Sequence, residues 1–360
     1  MRSRIFLKFA ALLLALCQLA AIVSGCFPIT SGVASAVGSA ISRAAEQLSE
    51  ARQESASEES SQPDSGEPGL SEGSGAEGTV NPLFWEVSSD DYSGRVHLFG
   101  SIHAARPEAY PLPGHIMSAF ENAQALAVEC DTIAFAEDQD RQMTALRSLA
   151  YLDGTTISSH LSAENYKAAV ALLRSLGIYA PQYDYYKPVL WTSLLDSYIV
   201  SQAGLSYNSG IDDFFTRLAK ASGKELLEIE SVEYQYDMLG SFSDRLQEIM
   251  LEDYLYDGVI EDQAESLKRL YASWEDGELS GLLSEDGETQ SQEDSEYYEE
   301  YVQKMLTDRN LRMVDAAESY IKRGMDVFIV VGSAHMLGDS GMVKLLRERG
   351  YTVTEHEDRY

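Results

Sequence analysis

The chain has 360 residues, with 58 Asp and Glu against 27 Lys and Arg, for a formal net charge of −31. A field of that sign repels phosphate backbones and anionic head groups, which excludes nucleic acid as a partner. Of the three cysteines, Cys17 and Cys26 lie at the amino-terminal end, so Cys130 stands alone in the remaining sequence and the fold must rest on its core rather than on disulfides.

In chain order, Arg2, Arg4 and Lys8 form a basic head, and Phe9 to Val23 is apolar apart from Gln18. That pattern predicts a secretory signal, too short to read as a membrane-spanning helix. It closes on Val23-Ser24-Gly25-Cys26, the lipobox pattern of bacterial lipoproteins. The expected boundaries are a signal over 1–25, a lipid on Cys26 and a cell-membrane location facing the extracytoplasmic side. One acyl chain holds weakly, at about 0.8 kcal/mol per buried methylene, so a stable anchor needs the several chains of a lipoprotein. Residues 26–79 then read as a stalk. The run 45–79 is rich in Ser, Glu, Gly and Pro and nearly free of large apolar groups, so it cannot bury enough surface to fold.

Globular composition begins at residue 80 and defines a domain over 80–360. Segments 81–87 and 94–100 are predicted strands joined by a turn, followed by a helix over 114–123 and a buried strand over 125–129. The middle, 138–280, is mostly helical, with a short strand over 224–230. The acidic run 284–300 is expected as an exposed loop. Strand, helix and strand return at 326–331, 341–349 and 351–355. The expected class is α/β, a mixed sheet built from two pseudo-symmetric strand-GxxH-helix-strand units flanking the helical middle.

Those two units carry the chemistry. Leu98-Phe99-Gly100-Ser101-Ile102-His103 matches Val330-Val331-Gly332-Ser333-Ala334-His335, and the strands that follow end in Glu129 and Glu355. Gly100 and Gly332 let the backbone turn as it leaves each strand, placing a His at the carboxyl end, where open α/β sheets bind ligands. Two converging imidazoles with Glu129 form a ligand set for a divalent metal in a hydrolase. The other four histidines, His97, His115, His160 and His356, are expected to be structural or superficial.

At these positions the sequence resembles the TraB/PrgY/GumN family. The resemblance rests on the two Gly-Ser-x-His runs, Tyr110-Pro111, Val128-Glu129, Gly210-Ile211-Asp212, Glu228-Ile229-Glu230, Arg309-Asn310 and Gly350-Tyr351, and covers about residues 83–356. The family is similar to the Tiki metalloproteases, and more distantly to erythromycin esterase and ChaN proteins. The resemblance implies manganese or cobalt as the metal, with zinc as a further option. It places His103, Glu129 and His335 at the metal, Arg309 as a polar partner, and Asn310 and Glu230 in support. Met336 stands where Leu is usual, and the acidic 284–300 run is extra.

Two readings follow. One is a membrane-anchored metallopeptidase acting on peptide or protein substrates, with Glu129 as metal ligand or general base and Arg309 stabilising the developing oxyanion. The other is a lipoprotein that sequesters a peptide without cutting it, as PrgY-like relatives are associated with blocking peptide pheromones. Its groove would be lined by the aromatic stretches 183–191 and 297–301.

Overall fold

Period-two alternation in the strand segments buries residues on both faces of one sheet. The computed structural model describes residues 80–278 and 292–356. The signal, Cys26, the stalk and the start of the acidic run lie outside the described residues. The strands are β1 (Phe84–Ser88), β2 (Arg95–Ser101), β3 (Ala125–Val128), β4 (Glu225–Glu228), β5 (Asp326–Gly332) and β6 (Thr352–Glu355), in the order β4-β3-β5-β2-β1-β6. β2, β5, β3 and β4 run parallel, and β1 pairs antiparallel with both β2 and β6. The sheet is therefore mixed, as the sequence predicts.

The helices are α1 (Gly114–Asn122), α2 (Thr132–Ala136), α3 (Gln139–Ser148), α4 (Ala163–Ser175), α5 (Pro188–Gln202), α6 (Ile211–Ser222), α7 (Val232–Gly240), α8 (Asp244–Glu252), α9 (Val259–Glu275), α10 (Gln292–Val302), α11 (Asp308–Lys322) and α12 (Met342–Glu348). Phe84, Phe99, Val128, Phe328 and Val330 face one side, where Ile116 and Phe120 of α1 and Phe214 and Phe215 of α6 join the larger core. Trp85, Leu98, Ala127, Ile329 and Val331 face the other, covered by Met313, Val314 and Ile321 of α11 and by Met342 and Leu346 of α12. Helix α5 is apolar nearly all round and buried along most of its length, which suits the centre of the helical layer.

The structure changes two sequence expectations. The two Gly-Ser-x-His units are not equivalent in the sheet. β3 lies directly beside β5, whereas β1 separates β6 from β2. The register is also offset, with Ser101 opposite Gly332 rather than opposite Ser333. β2 continues through Ser101, while β5 stops at Gly332 and Ser333–His335 forms a 3-10 turn. The added pairing of β1 with β2 occupies the place a symmetric partner would need. Glu355 consequently takes no part in the site and instead accepts a hydrogen bond from Trp85 Nε1.

The acidic run 284–300 is also not a loop throughout. From Gln292 it is helical as α10, passes through a π-helical turn at Gln303–Thr307 and leads into α11. Tyr301 is buried against Phe242, and Glu300 accepts from the backbone N–H and Oγ of Ser243. The charge run hid an amphipathic helix with a tyrosine on its inner side.

Candidate active site

The site forms at the carboxyl ends of three adjacent parallel strands, β2, β5 and β3, which deliver His103, His335 and Glu129. All three side chains are buried. Gly332 sits among them. A Cβ placed there would stand 3.4 Å from Glu129 Oε1, 3.6 Å from His103 Nε2 and 3.7 Å from His335 Cδ2. At the other motif, a Cβ on Gly100 would come within 2.9 Å of Ser333 Oγ, which donates to the Ser101 carbonyl at 2.8 Å. The two motifs are thus stapled together, and Gly100 leaves room for Ser333 to pack against it.

The imidazoles have fixed orientations. His103 Nδ1 meets Asp212 Oδ2 at 2.7 Å, and a carboxylate only accepts, so Nδ1 carries the proton. His335 Nδ1 meets Asn310 Oδ1 at 2.6 Å. Asn310 Nδ2 is spent on the Ser340 carbonyl at 2.8 Å, so its oxygen faces His335, and again Nδ1 donates. Both Nε2 atoms are buried and have no hydrogen-bond partner among the described residues. Buried polar atoms are seldom left unpaired, and two facing one carboxylate point to a ligand.

Glu129 is held from several sides. Oε1 accepts from the Gly332 N–H at 2.8 Å, while Oε2 accepts from Arg309 Nη2 at 2.6 Å and from Gln235 Nε2 at 3.1 Å. Arg309 also grips Glu230 through Nε and Nη2, at 2.9–3.1 Å. Gln235 Nε2 bridges to Glu230 as well, at 3.1 Å. Arg309 and Asn310 are consecutive, begin α11 just after the π-helical turn, and are fully buried. Such turns in helices are frequent at functional sites. The Arg309 guanidinium is committed to two carboxylates and the Met305 carbonyl.

The electrostatics separate the two histidines. Burial alone would lower the His103 pKa, but the Asp212 carboxylate and its hydrogen bond, aided by Glu129, raise it to about 9. Burial, reinforced by the Arg309 charge, pushes His335 down to about 3. His335 is therefore neutral at physiological pH, and its 3.7 Å approach to Glu129 Oε1 is not an ion pair. Burial opposes ionisation of Glu129, yet Arg309 foremost, then both histidines and the Gly332 N–H, hold it far below the usual carboxylate range.

The donor set suits a divalent metal. Among the described residues, no group of three or more His, Cys, Asp or Glu side chains that could hold a metal ion is found. However, His335 offers Nε2, and His103 would offer it on losing its Nε2 proton, each with its Nδ1 proton anchored, the arrangement that outer-shell partners impose on ligating imidazoles. Glu129 Oε1 has accepted only the Gly332 N–H and retains a lone pair. His335 Nε2 and Glu129 Oε1 stand 3.7 Å apart, so the two could share one ion.

Asp212, Ser101 and Gln235 are site residues that sequence reasoning did not assign. Asp212 lay within the Gly210-Ile211-Asp212 landmark, and Ser101 within the repeat. Gln235 gave no signal beyond a polar residue in a helical stretch. The remaining histidines fall elsewhere. His97, His115 and His356 gather around Phe84, and His160 stacks on Tyr151.

The sequence model of the TraB/PrgY/gumN family matches residues 83–355. The uncharacterized protein YbaP of Escherichia coli strain K12 is 28% identical over 151 residues, 41% of this chain and 53% of that protein. YbaP of Shigella flexneri matches to the same extent. The chain thus spans about half the length of these curated relatives. No solved structure matches.

Proposed function

This chain belongs to the TraB/PrgY/gumN family, and from that premise we propose that it is a divalent-metal-dependent hydrolase acting on peptide or protein substrates. We place it on the extracytoplasmic side of a membrane, held by a lipid on Cys26. The observation that supports the catalytic reading best is the pair of buried, unpartnered Nε2 atoms beside Glu129, each on a ring whose Nδ1 is already bonded. His103, His335 and Glu129 would hold manganese, cobalt or zinc. Bound there, the metal would supply Lewis acidity for amide hydrolysis. Metal and proton compete for His103 Nε2, as for any imidazole ligand.

The chain's own residues then divide the work. Arg309 and Gln235 fix Glu129, while Asn310 fixes His335. The oxyanion role expected for Arg309 gives way to this holding role in our reading, because its guanidinium is buried and already bound to Glu129 and Glu230. Of the aromatic stretches that the peptide-sequestering alternative would use, Trp191 and Tyr301 are core residues, while Tyr185 is exposed and Tyr183, Tyr186 and Tyr297 are partly buried.

The test is peptide hydrolysis by the purified full chain, supplied in turn with manganese, cobalt and zinc and then stripped with a chelator. Cleavage that needs metal and vanishes in His335→Ala supports the enzyme. Peptide binding that survives chelation, with no cleavage products, overturns it in favour of sequestration.

A further inference from the structure

The repeated Gly-Ser-x-His motif raises a question that metal ligation alone does not answer, namely what the serines do. They do different things. Ser333 Oγ donates to the Ser101 carbonyl and locks the two turns together. Ser101 Oγ instead donates to Asp212 Oδ1 at 2.6 Å, while the other oxygen of the same carboxylate receives His103 Nδ1 at 2.7 Å. Asp212 thus takes one hydrogen bond on each oxygen, both from the first motif.

Its placement depends on the residue two before it. Gly210 packs against the chain at His103, where a Cβ would fall 2.3 Å from the His103 carbonyl oxygen. That close approach lets the Ile211 N–H bond the Ile102 carbonyl at 3.1 Å and sets the first turn of α6 directly over the end of β2. Asp212, in that first turn, can then reach back to His103. The Thr216 hydroxyl donates to the Asp212 backbone carbonyl at 2.8 Å.

We infer that Asp212, steadied by Ser101, is the positioning residue that fixes the ring and the Nδ1 proton of His103, so that Nε2 is the atom presented beside Glu129. The inference rests on the metal-site reading and assigns that site a supporting residue. Asn310 does the corresponding work for His335 with a neutral amide, so the two ligands are held by partners of different charge.

Two measurements on the full chain test this. In spectra of metal-free, ¹⁵N-histidine-labelled protein, the His103 Nδ1–H should appear as a protected, downfield proton, assigned by its loss in His103→Gln. It should disappear in Asp212→Ala and persist in Asp212→Asn, which keeps an acceptor oxygen. In cobalt(II) titrations, Asp212→Ala should bind roughly 10–100-fold more weakly, with Asp212→Asn and Ser101→Ala falling in between. Should Asp212→Ala fail to fold, the charge-removing Asp212→Asn and Ser101→Ala carry the comparison. They overturn the inference if both leave proton shift and affinity unchanged. A proton that persists unaltered in folded Asp212→Ala, or equal cobalt affinity there, also overturns it. Wild-type protein that binds no divalent metal would sink the hydrolase reading instead, and the proton spectra would still decide whether Asp212 holds His103.

Discussion

At the residue scale, Gly332 separates the site from its scaffold. Its φ of −52° is ordinary for any residue, and an added Cβ would meet Glu129, His103 and His335 at 3.4–3.7 Å, ordinary contact distances. Gly332→Ala should therefore fold with an unfolding midpoint close to wild type, yet bind metal more weakly, because the methyl group occupies space among the donors. Calorimetric titration beside thermal unfolding checks both halves. Arg309 is the opposite case. Fully buried, it neutralises Glu129 and Glu230 together. Arg309→Met leaves both carboxylates without their cation, a change that costs about 3–5 kcal/mol for a buried pair. Urea unfolding of that variant should show the loss, and stability equal to wild type would disprove the clamp. His103, Glu129 and His335 were legible in the repeated Gly-Ser-x-His units, whereas Arg309, Asn310 and Glu230 were implied only by the family resemblance. Asp212 as a partner of His103 was not legible, because that contact spans 109 positions in sequence and depends on Gly210 letting α6 approach.

At the scale of elements, the central strands follow from short continuous apolar runs that the sheet buries on both faces, the middle was legible only as mostly helical, and the sheet's mixed character follows from strands alternating with helices. Two features escaped. One is the insertion of β1 between β2 and β6, since pairing partners leave no local trace in a strand. The other is α10, whose acidic composition resembles a solvated loop although Tyr301 faces the core. Helix α5 carries a further consequence. Asp196 is buried on it and accepts from Tyr254, and Asp196 Oδ2 has no partner among the described residues. Burial raises its pKa to about 8, only partly opposed by the Tyr254 hydrogen bond. The folded chain therefore keeps a proton that the unfolded chain sheds above about pH 4. This group's contribution to stability is fullest at acid pH, declines by roughly 1.4 kcal/mol per pH unit as pH rises, and levels off above about 8. Asp196→Asn should remove that slope and be more stable than wild type at pH 8.5, with the gap closing toward pH 4. Parallel pH dependence of the two proteins would refute the assignment.

At the scale of the whole molecule, the architecture is an α/β domain that brings three strand ends to one point, and we propose that a lipid on Cys26 holds that domain at a membrane. Among the described residues no helix is long and apolar enough to cross a bilayer; the proposed attachment is the lipid on Cys26. Cys26→Ser should move the protein from the membrane fraction to the soluble one, and retention after a salt wash would contradict the lipid anchor. The net charge of −31 gives no electrostatic help in binding anionic lipid, so the acyl chains would carry the attachment alone. Whether His103, Glu129 and His335 hold one divalent ion, as proposed, is decided by elemental analysis of the full chain, equilibrated with manganese, cobalt or zinc and desalted, beside His335→Ala treated identically. Wild type should retain about one equivalent of metal, the content of a single three-ligand site, and the variant should lose most of it. Wild type that retains none of the three metals, or His335→Ala that retains as much as wild type, would contradict the proposed site.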